Sequence, residues 1–158
     1  LPNRLFFENI LQKVYSYSKR NSTIFGLAII DLDGFKSIND IYGHYAGDAL
    51  LQEISLRFQD CIRAEDTIAR IGGDEFAFIF HIGTIKEPYE KIIDRLLQEA
   101  SKIVVFDGNI KLQVSASIGI SFYSKANDVD TKTLQKQADQ AMYLSKTKGK
   151  NCFTVFDT

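Results

Sequence analysis

Two short stretches of this chain carry acids where acids are costly. The continuously apolar, β-branched run Ile24 to Leu32 (IFGLAIIDL) leads into Asp31-Leu32-Asp33-Gly34-Phe35-Lys36. Such a run suits a strand buried on both faces, and carboxylates at its end are expensive to desolvate unless a cation offsets them. Asp31 and Asp33 are two apart and point to one face of an extended chain. A plainer alternative is that they cap the helix starting near Phe35. The second stretch is Arg70-Ile71-Gly72-Gly73-Asp74-Glu75-Phe76. Here Gly72 and Gly73 are expected to allow left-handed backbone and to leave no Cβ in the way of a ligand's phosphates. Taken alone, the stretch is equally a hairpin turn with polar ends. With Asp74 across from Asp31 on a neighbouring strand, the pair would supply the hard oxygen donors that Mg²⁺ takes, water and phosphate completing the shell. Two ions bridged by shared carboxylates can activate an attacking hydroxyl and stabilise a leaving phosphate.

Other chemistry-bearing residues compete poorly. His44 and His81 have no ligand-like spacing to each other or to the cysteines. Cys61 and Cys152 are too few for a disulfide framework and are expected to be inert reduced thiols.

Periodicity supplies the elements that must position the acids. Helices are expected over Asn3 to Lys19 (Phe6, Ile10, Val14, Tyr17), Phe35 to Ile41 and Gly47 to Ile62 (Leu51, Ile54, Phe58, Ile62). Two more are marked by Ile92, Leu96, Ala100 and Ile103, and by Leu134, Ala138, Ala141, Met142 and Ser145. Strands are expected at Ile24 to Leu32, Thr67 to Ile71, Glu75 to Ile82, Ile103 to Phe106, Lys111 to Phe122 and Phe153 to Phe156. Asp107-Gly108-Asn109 should turn the chain between two of them. The order α-β-α-α-β-β-α-β-β-α-β contains a tight hairpin, so the sheet should be mixed, with helices packed against it.

The 158 residues are 45% hydrophobic and 25% charged, which suits one folded domain and excludes collagen-like, low-complexity and disordered classes. Lys plus Arg (19) against Asp plus Glu (20) leaves a net charge of -1, with no basic field to gather nucleic acid. No apolar run is long enough to span a membrane. The chain starts at Leu1-Pro2-Asn3-Arg4 without a signal peptide or an initiator Met, so it is expected to be a single domain, residues 1–158, cut from a longer multidomain protein.

Read together, these segments resemble the GGDEF family, the bacterial diguanylate cyclases. The signature stands as Gly72-Gly73-Asp74-Glu75-Phe76, preceded by Ala69-Arg70-Ile71. Leu1-Pro2-Asn3-Arg4, Asp31 to Asp40 and Gly43-His44-Tyr45-Ala46-Gly47-Asp48 match in order. So do Val114 to Ile120, Ala138 to Tyr143 and Ser145 to Asn151.

The resemblance implies an α+β fold: a mixed, mainly antiparallel central sheet flanked by helices, the nucleotidyl cyclase, ferredoxin-like palm. It implies condensation of two GTP into cyclic di-GMP and two pyrophosphates in a homodimer, with two Mg²⁺ or Mn²⁺ ions per active site. Asp31, Asp74 and the Leu32 carbonyl are then metal ligands, and Glu75 is a further ligand candidate. Asp74 and Glu75 both stay open as the catalytic base. Asn39 and Asp48 would read guanine, whose N1–H and N2–H donors adenine lacks; helix capping is their plainer alternative. Phe35, Lys36, Gly72, Gly73, Lys146 and Lys150 would surround the phosphates. The family commonly has Arg where Lys150 stands, so the bidentate fork is lost and the grip weaker. Arg63 and Asp66 match an Arg-x-x-Asp product-inhibition site, the alternative being a salt bridge at a helix end. Implied partners are GTP and cyclic di-GMP, with no nucleic acid and no direct membrane contact. The implied location is cytoplasmic, free or as the cytosolic domain of a membrane-bound sensor. The rival expectation is a catalytically silent module that senses GTP or cyclic di-GMP for an attached phosphodiesterase or other partner.

Overall fold

The structure is a computed structural model that describes residues 1–82 and 88–157. The long apolar run becomes β1 (Ile24–Asp33), the middle strand of a five-stranded sheet. It is framed by α1 (Arg4–Asn21) before it and by α2 (Phe35–Tyr42) and α3 (His44–Cys61) after it. Next come β2 (Thr67–Arg70), β3 (Glu75–Ile82), α4 (Tyr89–Ser101), β4 (Val104–Phe106), β5 (Ile110–Leu112), β6 (Ser115–Tyr123), α5 (Thr131–Thr147) and β7 (Cys152–Val155). The sheet order is β2-β3-β1-β6-β7; β1 is antiparallel to both neighbours, and only β7 runs parallel, to β6. The sheet is therefore mixed and mainly antiparallel, with helices on both faces, as the sequence leads one to expect.

Alternation along β1 sorts the core into two layers. Ala28, Ile30 and Leu32 join Phe35, Leu50, Phe58, Ile92 and Leu96 under α2, α3 and α4. Phe25, Leu27 and Ile29 join Phe7, Leu11, Leu134, Ala138 and Met142 under α1 and α5. On this second side α5 lies close to the sheet because β6 carries Gly119, where a Cβ would stand 2.0 Å from the Met142 nitrogen and 2.1 Å from the Ala138 oxygen.

Two expectations change. The expected strand Lys111 to Phe122 is two strands: β5 closes a hairpin with β4 across Asp107 and Gly108, both at positive φ, and β6 enters the central sheet. Apolar alternation continues through the junction, so periodicity alone cannot see where the chain leaves one partner for another. The expected helix from Gly47 starts three residues earlier, at His44, because Gly43 (φ 91) ends α2 and opens α3 at once. No helix among the described residues is long and apolar enough to cross a membrane.

Candidate active site

Strand pairing brings the two acidic stretches together. Asp31, near the end of β1, sits opposite Glu75 on β3 and Ser117 on β6, and the Leu32 amide donates to the Asp74 carbonyl at 3.1 Å. Asp31 Oδ1 is buried with no hydrogen-bond partner, while Oδ2 lies 3.4 Å from Lys146 Nζ. Burial, reinforced by Asp74, pushes the Asp31 carboxyl up to about 6 despite that lysine. A buried acceptor without a donor, beside a second carboxylate and a backbone carbonyl, is a donor set that fits a hard divalent cation. Among the described residues no three His, Cys, Asp or Glu side chains gather on one point. The ligand set implied by the sequence needs only two side chains, Asp31 and Asp74, with the Leu32 carbonyl.

Glu75, opposite Asp31, also borders a neighbouring groove. Its Oε2 would lie 3.1 Å from a Cβ on Gly72, and burial, then Asp139 and Asp74, raise its carboxyl above the usual range. It lines a groove of about 480 Å³ between α1 and α5 with Arg4, Ile71, Lys136 and Asp139.

The glycine turn departs from expectation in one respect: neither Gly72 nor Gly73 has positive φ. A Cβ on Gly72 would crowd the Glu75 carboxylate, a flexible group that can shift, and Gly73 has no atom within 4 Å of where a Cβ would be. The turn is held from outside instead. Arg70 donates to the carbonyls of Gly72 (3.1 Å) and Gly73 (2.8 Å), and Arg4 Nε donates to Ile71 at 3.1 Å.

The α2 N-terminus follows Asp31 by four residues. Gly34 (φ 83) is its N-cap and no side chain caps it, so Asp31 and Asp33 do not play the capping role that was their plainer alternative. The first-turn amides of Phe35 and Lys36 are left for an anion. Phe35 is buried, so it can offer only backbone, whereas the Lys36 side chain is exposed.

Lys146, on α5, bonds Asp33 at 2.8 Å as well as facing Asp31. Burial disfavours its charge, yet the bond to Asp33 and the attraction of Asp31 hold it above the ordinary lysine value. Lys150 is exposed, in the turn after α5.

Asn39 and Asp48 do not cap either: neither end of the α2–α3 junction has a side-chain cap. The Asn39 amide lies over Gly47, where a Cβ would stand 1.8 Å from its Oδ1, and so next to Asp48. Asp48 opens onto a groove of about 550 Å³ lined also by Leu1, Leu51, Gln52, Leu56 and Arg70.

Arg63 and Asp66 form a closed pair away from the acids. Arg63 Nε and Nη2 fork onto Asp66 at 2.8 and 3.3 Å, and Nη2 also reaches the His81 carbonyl at 3.0 Å. The Asp66 side chain is 0% exposed and accepts the His81 amide too.

One group escapes the sequence reading. Asp33 accepts from Ser115, Ser117, Lys146 and the Asn151 amide. The available signal was Ser115 and Ser117, hydroxyls at strand period on one face of an otherwise apolar run.

The sequence matches the family described as "Diguanylate cyclase, GGDEF domain" over residues 1–152. It is 37% identical over 161 residues to the bifunctional diguanylate cyclase/cyclic di-GMP phosphodiesterase MucR of Pseudomonas aeruginosa, covering 100% of this chain and 23% of that protein. It is 33% identical over 156 residues to the cyclic di-GMP phosphodiesterase PdeR of Escherichia coli, covering 99% of this chain and 23% of that one. The crystal structure of the GGDEF domain of YfiN (or TpbB) from Pseudomonas aeruginosa superposes with a TM-score of 0.91 at 30% identity, covering 100% of this chain and 98% of that one.

Proposed function

The chain belongs to the diguanylate cyclase GGDEF domain family, and from that membership we propose that it condenses two GTP into cyclic di-GMP with release of two pyrophosphates. The observation that carries this reading is the buried, unpartnered Asp31 Oδ1 beside Asp74, four residues before the uncapped start of α2. Asp31, Asp74 and the Leu32 carbonyl would hold Mg²⁺ or Mn²⁺, two ions per site, with Glu75 as a further ligand. When bound, such ions polarise the α-phosphate and acidify a 3′-hydroxyl.

The chain's own residues do the rest. Asn39 and Asp48 face guanine's donor edge; adenine would leave Asp48 unpaired, a difference worth several kcal/mol. The amides of Phe35 and Lys36, the turn at Gly72 and Gly73, and the ammonium groups of Lys36, Lys146 and Lys150 receive the triphosphate. The 3′-hydroxyl proton passes to Asp74 or Glu75. Because the product is two-fold symmetric, each chain holds one GTP and the two meet across a C2 dimer, hydroxyl in line with the departing pyrophosphate. At the feedback site, Asp66 is buried beneath Arg63, so Asp66 orients the guanidinium and Arg63 meets the product's phosphate.

The chain spans 23% of the length of MucR and of PdeR, so we read it as one domain of a multidomain protein. PdeR is called a phosphodiesterase, which favours one second reading: a module that binds GTP or cyclic di-GMP and controls an attached enzyme. Incubation with GTP and Mg²⁺, read by chromatography, separates the two. Cyclic di-GMP and pyrophosphate are expected; bound nucleotide without pyrophosphate would establish the sensor.

A further inference from the structure

Asp33 is the β1 acid that the proposed chemistry leaves without a task, and it is the most fully bonded side chain at the site. Oδ1 accepts from Ser117 Oγ (2.7 Å) and Lys146 Nζ (2.8 Å); Oδ2 accepts from Ser115 Oγ (2.6 Å) and the Asn151 amide (3.3 Å). Each oxygen has both lone pairs engaged, which leaves no capacity for a metal. The donors come from β6, from α5 and from the turn after α5. That turn is itself constrained: Gly149, Lys150 and Asn151 have φ of 115, 65 and 51. Consecutive left-handed residues of which two are not glycine persist only where their surroundings enforce them. Here the enforcing bonds are Asn151 N to Asp33 and Lys150 N to the Ser145 carbonyl at 3.0 Å.

We infer that Asp33 is a positioning residue: it tethers the Lys146 ammonium and the turn carrying Lys150 to the end of β1, presetting both cations for the phosphates of a nucleoside triphosphate. The inference rests on the cyclase reading, which supplies the triphosphate. Its own content is that Asp33 acts through Lys146 and does not ligate the metal.

The test uses 3′-deoxy-GTP, which cannot be cyclised, with Mn²⁺ as a spectroscopic probe. Asp33→Asn and Lys146→Met are each expected to weaken 3′-deoxy-GTP binding about tenfold, and the double variant by no more than about twofold beyond either, since the two act as one unit. Mn²⁺ affinity without nucleotide should stay within about threefold of the parent in Asp33→Asn. Independent losses that multiply in the double variant overturn the inference, as does parental nucleotide binding by Asp33→Asn. So does a loss of Mn²⁺ binding as deep as that of Asp31→Asn, which would make Asp33 a ligand. If Asp33→Asn does not fold, the parent alone decides. Amine acylation of Lys146 should be at least about tenfold slower than of exposed Lys148 and Lys150, and equal rates overturn the tether. A parent that binds no 3′-deoxy-GTP at all sinks the cyclase reading, while the labelling, which needs no nucleotide, still reports whether Asp33 grips Lys146.

Discussion

Asp31 and Asp33 share one face of β1, yet their partners set them apart: Asp33 has a donor for every lone pair, and Asp31 keeps a buried oxygen without one. Removing the Asp31 charge should therefore stabilise the metal-free protein. Asp31→Asn in EDTA is expected to gain about 1 to 2 kcal/mol, a rise in Tm of about 3 °C, because like-charge repulsion and the burial of a charge are relieved. The same variant should lose the stabilisation that Mg²⁺ gives the parent, and a thermal melt with and without the ion checks both halves. Arg63→Ala should relieve product inhibition and also destabilise the fold by about 3 kcal/mol, since it strands a carboxylate that is fully covered. Urea denaturation measures the second effect, and Arg63→Ala with Asp66→Asn should recover part of it. The acids and glycines of the site were legible from residue type and order. The Asp33 network was not, because its members lie far apart in sequence and only folding makes them neighbours.

At the level of elements, the site is the meeting of a strand end, a hairpin turn, a helix start and the last turn of α5. The first three are contiguous with their motifs, so the sequence announces them. The approach of α5 is not announced; it depends on Gly119, whose missing side chain lets the helix backbone touch β6. Gly119→Ala should cost about 3 kcal/mol, because a backbone cannot yield as a flexible side chain does. It should also weaken 3′-deoxy-GTP binding by moving Lys146 away from Asp33. A melt and a binding titration check the pair of effects, and a variant that melts normally would show that α5 has room to spare. The boundary errors have similar causes: one glycine serves two helices at Gly43, and an unbroken apolar rhythm hides the change of partner between β5 and β6.

For the molecule as a whole, the proposed half site per chain predicts a kinetic signature. Turnover per chain should rise with protein concentration until dimers saturate, and specific activity unchanged by dilution would contradict the half-site arrangement. Within one chain, the acids of β1 wait long for their partners, since Ser117 follows Asp33 by 84 positions and Lys146 follows it by 113. A ribosome delivers residues in order, so the signature hairpin emerges while the helix that furnishes Lys146 has not yet been made. On the proposed reading, the triphosphate grip that Lys146 supplies then arises only in the last stage of maturation, when that helix docks. A stalled or truncated product displays the motif yet lacks the lysine beside its acids, and so sequesters little nucleotide while it awaits degradation.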